Sequence, residues 1–215
     1  MSMLHPVTQG SEAWHKLRLG RPTASGLSNL LTPEWKRRTG EMPRTYLFSK
    51  IAEVITGKSE DEDAGSWAME QGTLLESEAI PFYEFLTDTK VQRMGFVTDD
   101  HMQYGCSPDG LIGEDCGIEV KCPRPHTHVK YLLDGGLPKE YACQVHGSMY
   151  VTERPSWVFL SYCRGFPPHI VTVLRDDKIQ AAIKEALDYF LEDFKIALDK
   201  IKRLQDEKPA RAAAA

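Results

Sequence analysis

The 215-residue chain has no apolar run near the roughly 20 residues a membrane-spanning helix requires, so no membrane role is expected. It has no internal repeat, and no low-complexity stretch before its last residues. The opening MSMLHPVTQGSEAW lacks the basic-then-apolar pattern of a secretory signal. Its five cysteines (Cys106, Cys116, Cys122, Cys143, Cys163) form no even set for a disulfide framework, and a reducing cytoplasm is the expected setting. A basic surplus is also missing. Lys and Arg number 26 against 31 Asp and Glu, a net charge of −5, whereas nucleic-acid binders usually carry a positive excess.

That total conceals a segregation. Residues 1–58 hold nine basic and four acidic side chains, 59–119 two and fifteen, and 120–215 fifteen and twelve. The central acidic block can be a solvated face, a set of cation ligands, or both.

Hydrophobic spacing and capping residues outline the elements. A helix is expected over 11–19, with Ser11 as N-cap and Gly20 just past its end, and Thr23 can cap a second helix through Leu27, Leu30 and Leu31. A third is expected over 44–56, closed by Gly57, and the polar stretch 58–66 reads as a loop. Helix returns over 66–86, with Pro81 expected to kink or divide it. Short strands are expected at 91–97, 103–108 and 117–121, with a turn at 113–117. Then come a helix over 139–152, β-rich runs at 156–163 and 169–174, and a long helix over 176–205. Its apolar residues Ile179, Ile183, Leu187, Phe190, Phe194, Leu198 and Ile201 form one stripe. The 209–215 tail is expected not to pack, and its alanine run reads as a cloning remnant. The class is mixed α/β.

Chemistry concentrates in Cys106-Ser107-Pro108-Asp109-Gly110-Leu111 and Gly117-Ile118-Glu119-Val120-Lys121-Cys122-Pro123. Alternation along a strand puts Glu119 and Lys121 on one face and Ile118 and Val120 on the other. A hairpin between the two stretches can bring Asp109 beside Glu119. Two carboxylates with a backbone carbonyl make a hard-oxygen site for Mg²⁺ or Mn²⁺, suited to phosphodiester hydrolysis. Lys121 can orient the attacking water or stabilise developing charge. Taken alone, the same residues also read as a turn aspartate and a surface Glu–Lys pair.

Framed by SPDG and Cys-Pro, the pattern resembles the PD-(D/E)xK nuclease superfamily. Ala13-Trp14-His15-Lys16-Leu17-Arg18-Leu19-Gly20 with Thr23-Ala24-Ser25, then Gly72-x-x-x-Glu76, then Gln144-Val145-x-x-Ser148-Met149-x-Val151-Thr152, resemble the phage lambda exonuclease family of YqaJ-like viral recombinases. The likeness spans about residues 9–152. It implies a restriction-endonuclease-like core, with a central mixed β-sheet flanked by helices, forming one nuclease domain over 1–208. By the same resemblance, Asp109, Glu119, the Val120 carbonyl and Glu76 match the metal ligands, and Lys121 matches the catalytic lysine. Arg18, Ser25 and Ser107 match the holders of a 5′-terminal phosphate, and Gln144 matches the glutamine beside the catalytic centre. Trp14 is placed as an aromatic packing where DNA enters.

The implied activity is Mg²⁺-dependent hydrolysis, with Mn²⁺ as a substitute, of one strand of linear duplex DNA from a 5′-phosphorylated end. It leaves 3′ single strands for recombination. A ring-shaped homotrimer and a single-strand annealing protein as partner follow from the resemblance alone. Two alternatives stand beside it: an endonuclease of the same superfamily, and a non-catalytic DNA-end-binding module. Cys116, Cys122, His126 and His128 have no zinc-site spacing, and the cysteines do not cluster as an iron–sulfur site requires. The basic run Trp35-Lys36-Arg37-Arg38 with Arg44 reads equally as a solvated loop or as phosphate contacts.

Overall fold

A computed structural model describes residues 2–60 and 67–212, the side chains of 67–74, 76 and 208–212 excepted. In chain order the elements are β1 (Ser2–His5), α1 (Glu12–Arg18), a 3₁₀ helix (Ala24–Asn29), α2 (Glu41–Thr56), α3 (Trp67–Thr87), β2 (Phe96–Asp99), β3 (Gly105–Cys106), β4 (Gly110–Ile112) and β5 (Cys116–Lys121). They continue as α4 (Pro125–Asp134), α5 (Lys139–Thr152), β6 (Ser156–Ser161), β7 (His169–Leu174) and α6 (Asp177–Ala212). Among the described residues no helix is long and apolar enough to cross a membrane.

A mixed four-stranded sheet runs β4-β5-β6-β7. Only β5 and β6 are parallel, with Glu119 opposite Phe159 and Lys121 opposite Ser161. A parallel pair needs a crossover, and α4 and α5 supply it. The sheet is buried on both faces. On one, Trp157 and Phe159 pack with Val145, Met149 and Val151 of α5. On the other, Ile118, Val120, Val158 and Leu160 meet Ala79, Ile80 and Tyr83 of α3. A second, antiparallel sheet, β1-β2-β3, lies alongside. Thr23 bridges Gly105 in parallel, and Gln92 bridges Leu111.

Several expectations need correction. The segment after Thr23 is a 3₁₀ helix, and the Thr23 side chain makes no capping bond. Helix α5 packs tightly on this segment. Gly147 lets α5 approach so closely that an added Cβ would lie 3.2 Å from Ala24 Cα and 2.4 Å from Leu27 Cδ1. Helix α3 runs unbroken through Pro81, and α2 starts at Glu41 rather than 44. The strand expected at 91–97 is shifted and shortened to Phe96–Asp99, and that at 103–108 shrinks to Gly105–Cys106. Of the long C-terminal stripe, Ile183, Leu187 and Phe190 are buried against Leu27, Leu30 and Leu31. Ile201 is exposed, so the outer part of α6 has left the core. Strand β1 and helix α4 were not anticipated, and residues 61–66 of the expected loop lie outside the described residues.

One buried ion pair ties the N-terminal helices together. Lys50 Nζ lies 2.7 Å from Glu53 Oε1, and both side chains are nearly inaccessible. Glu53 Oε2 accepts the Gly20 N–H at 2.8 Å, where the chain leaves α1 in a left-handed conformation (φ +70°). Glu53 therefore fixes the end of the helix that carries Trp14 and Arg18. Replacing Glu53 with Ala removes the carboxylate from a buried ammonium and from a backbone donor, so we expect a loss of about 3–5 kcal/mol in urea denaturation. A loss below about 1 kcal/mol, the worth of a surface pair, contradicts this role.

Candidate active site

Strand alternation builds the site as expected. On β5, Ile118 and Val120 enter the core, while Glu119 and Lys121 share the opposite face and form an ion pair of 2.6 Å. Glu119 is 1% exposed. Such burial of a carboxylate requires charge and hydrogen-bond partners. Lys121 supplies one, and Gln144 Nε2 on α5 donates to the same Oε1 at 2.6 Å. Asp109 closes the group from the loop before β4, where its Oδ2 accepts the Val120 N–H at 2.6 Å.

Lys121 is a cation in this setting. Burial opposes its charge, but Glu119 and Asp109 together outweigh that and hold its pKa above the usual lysine value. Its ammonium also lies 5.2 Å from the Tyr141 ring centroid. Nearby, burial and the Glu119 charge push the Cys106 thiol far up, so it stays protonated.

A second cluster forms two residues before Asp109. Ser107 Oγ accepts Trp14 Nε1–H at 2.9 Å and an Arg18 guanidinium N–H at 3.1 Å. The guanidinium lies 4.4 Å above the Trp14 ring, and Trp14 Nε1 also donates to the Gly95 carbonyl. Trp14 is thus more than a packing aromatic: it orients both Arg18 and Ser107. Ser25 is exposed at the start of the 3₁₀ helix, its hydroxyl 3.1 Å from Thr23 Oγ1. The Thr23–Gly105 bridge sets Ser25 and Ser107 two residues along neighbouring segments.

The structure therefore joins Asp109, Glu119, Lys121 and Gln144 in one group, and Trp14, Arg18 and Ser107 in the next. Gln144, expected beside the catalytic centre, donates to the Glu119 carboxylate. Glu76 lies on α3 where side chains are outside the described residues. Among the described residues no three His, Cys, Asp or Glu side chains assemble as a metal site. Asp109 and Glu119 nevertheless give two hard carboxylates around the Val120 backbone, a donor set that fits Mg²⁺ and includes no thiolate or imidazole.

Two contributors escaped sequence reading. Gln9 donates to the Met94 and Pro108 carbonyls at 3.0 and 2.9 Å and so pins the loop carrying Asp109. Nothing in the sequence marks it. Tyr141 precedes Gln144 by three residues in one helix, a spacing that shares a face and could have revealed it. Several other candidates make contacts within the fold. His128 is buried, with its ring nitrogens 2.7 Å from Ser161 Oγ and 2.9 Å from the Pro167 carbonyl. Arg38 braces its own loop through the Ser28 and Leu31 carbonyls, while Arg37 stacks on Tyr189 and Arg44 meets Glu41.

Similar proteins are known by family and by structure. The YqaJ-like viral recombinase domain family matches residues 13–155. The alkaline exonuclease LHK-Exo of Laribacter hongkongensis is 30% identical, with a TM-score of 0.81, covering 92% of this chain and 99% of its own. Its complex with dAMP gives 29% identity and a TM-score of 0.82 over the same shares. A phage-related exonuclease from Haemophilus somnus 129PT shares the fold at 12% identity and a TM-score of 0.67, over 84% of this chain and 96% of its own. No curated protein matches in sequence. The chain belongs to the YqaJ-like viral recombinase family.

Proposed function

We propose that this protein is a Mg²⁺-dependent exonuclease that hydrolyses one strand of linear duplex DNA from a 5′-phosphorylated end, leaving 3′ single strands. One juxtaposition carries the reading. Ser107, held by Arg18 and Trp14, lies two residues from Asp109, which is bonded to the strand of Glu119 and Lys121. An anion-binding group beside two carboxylates and a lysine fits a terminal phosphate next to the bond to be cut. A pocket that needs an end selects ends over internal bonds. The alkaline exonuclease LHK-Exo, 30% identical to this chain, supports the same class.

In this mechanism Asp109, Glu119 and the Val120 carbonyl would hold the cation, and the family resemblance adds Glu76 as a further carboxylate. When bound, Mg²⁺ supplies Lewis-acid activation and stabilises the leaving oxygen. Arg18 offers a fork of donors to the terminal phosphate, and Ser107 and Ser25 offer hydroxyls. Trp14 keeps the guanidinium flat and aimed. Lys121 remains charged and stabilises negative charge developing on the phosphoryl oxygens. Gln144 fixes the Glu119 carboxylate, so the ligand oxygens need no reorganisation. Family membership supports the wider setting: a homotrimeric ring that encircles its product and works with a single-strand annealing protein in recombination, while the cysteine content supports a reducing cytoplasm.

Replacing Lys121 with Ala should slow cleavage by about 10²–10³-fold while DNA ends are still bound, as for loss of one transition-state donor. Near-normal turnover removes Lys121 from catalysis. The reading as a whole is tested with end-labelled linear duplex, 5′-phosphorylated or 5′-hydroxyl, with and without Mg²⁺. Nucleotides should be released only with Mg²⁺ and faster from phosphorylated ends. Release of no nucleotides in any arm means an end-binding module instead. Arg18→Ala should reduce the preference for phosphorylated ends by about tenfold or more, the worth of one charge-assisted hydrogen bond. Equal losses on both substrates make Arg18 structural.

A further inference from the structure

In the function proposed above, the Glu119 carboxylate serves both a cation and the Lys121 ammonium. An ammonium on a flexible four-carbon stem, steered by Glu119 alone, would shift whenever that carboxylate does. The structure provides a second attachment. The ring of Tyr141 lies below the ammonium, at 5.2 Å from its centroid. The negative face of an aromatic ring attracts a cation without taking a carboxylate lone pair, so it does not compete with metal binding.

That ring is held from several sides. It stacks on Phe159 with centroids 5.2 Å apart and planes 28° from parallel. Tyr131 meets it edge-on at 6.3 Å, and the Tyr131 hydroxyl is anchored on Glu140 Oε1 at 2.8 Å. Phe159 is fully buried and pairs in register with Glu119 across the parallel β5–β6 ladder. Helix α5 then grips both members of the ion pair: Gln144 binds Glu119, and Tyr141, one turn earlier, faces Lys121.

We propose that Tyr141 is a positioning residue whose ring face, fixed by Phe159 and Tyr131, sets the direction of the Lys121 ammonium independently of Glu119. The kinetic consequence rests on the function proposed above; the geometric one does not.

The test compares Tyr141→Leu with Tyr141→Phe, which keeps the ring and loses only the hydroxyl. On 5′-phosphorylated linear duplex with Mg²⁺, Tyr141→Leu should lower kcat about tenfold, in keeping with one partly desolvated cation–π contact, with KM little changed. Tyr141→Phe should restore kcat to about half of wild type or better. Independently of activity, lysines carrying ¹³C-methyl groups should show a Lys121 signal shifted upfield by the ring, assigned by its loss in Lys121→Arg. The shift should persist in Tyr141→Phe and vanish in Tyr141→Leu. If Leu unfolds the aromatic stack, Tyr141→Met fills the space without a π face and takes its place. A Phe variant as slow as Leu assigns the effect to the hydroxyl and overturns the proposal. So does a raised KM at unchanged kcat, which makes Tyr141 a DNA contact, or a Lys121 signal unmoved by Leu. A wild-type protein inactive on duplex DNA refutes the nuclease reading, while the Lys121 signal still decides the role of Tyr141.

Discussion

The site turns on one constraint: a carboxylate in the core must be held by groups that keep it charged and aimed. Glu119, 1% exposed, receives Lys121 and Gln144 on the same oxygen at 2.6 Å each. Each partner fixes part of the fold. Lys121 shares the strand face because side chains alternate, which forces Ile118 and Val120 into the core on the other side. Gln144 requires α5 to cross that face, and α5 with α4 is the crossover that makes β5 and β6 parallel. Asp109 reaches the group by bonding the backbone between Glu119 and Lys121. Removing the strand order separates every one of these contacts.

Charge segregation also has a physical explanation once the acids are located. The central acidic block is not one surface. Asp99 is buried and caps the His101, Gln103 and Tyr104 amides. Glu84 accepts the Val91 amide, Glu78 pairs with Arg164, and Glu119 and Asp109 build the candidate site. Asp61, Glu62 and Asp63 of the same block lie outside the described residues. A bound divalent cation would reverse the local field where two carboxylates converge. The N-terminal surplus contributes through Arg18, placed beside that point by α1 and by the Glu53 contact that ends it. A net charge of −5 is therefore compatible with a DNA substrate.

Much of this was legible in the sequence because it depends on short-range rules. Alternation predicts the Glu119–Lys121 face, Ser11 and Gly20 bound α1, and the helix expected over 139–152 is α5 with the same limits. The failures came from tertiary contacts that local pattern does not encode. The segment after Thr23 is a 3₁₀ helix that packs closely on α5 at Gly147. Pro81 was accommodated without dividing α3. Gln9 acts through carbonyls 85 and 99 residues away, which no spacing rule reports. Helix α4 is different. Pro125 at its start and Gly135 in the left-handed conformation at its end are standard boundary signals, so this helix is legible in the sequence.

The central claim, that an end-holding cluster sits beside a hydrolytic one, is tested most directly by digesting linear and covalently closed circular duplex of the same sequence together with Mg²⁺. The account predicts that the linear DNA shortens progressively while the closed circle persists intact. Nicking or linearisation of the circle at a comparable rate would contradict it and assign the same carboxylates and lysine to an endonuclease.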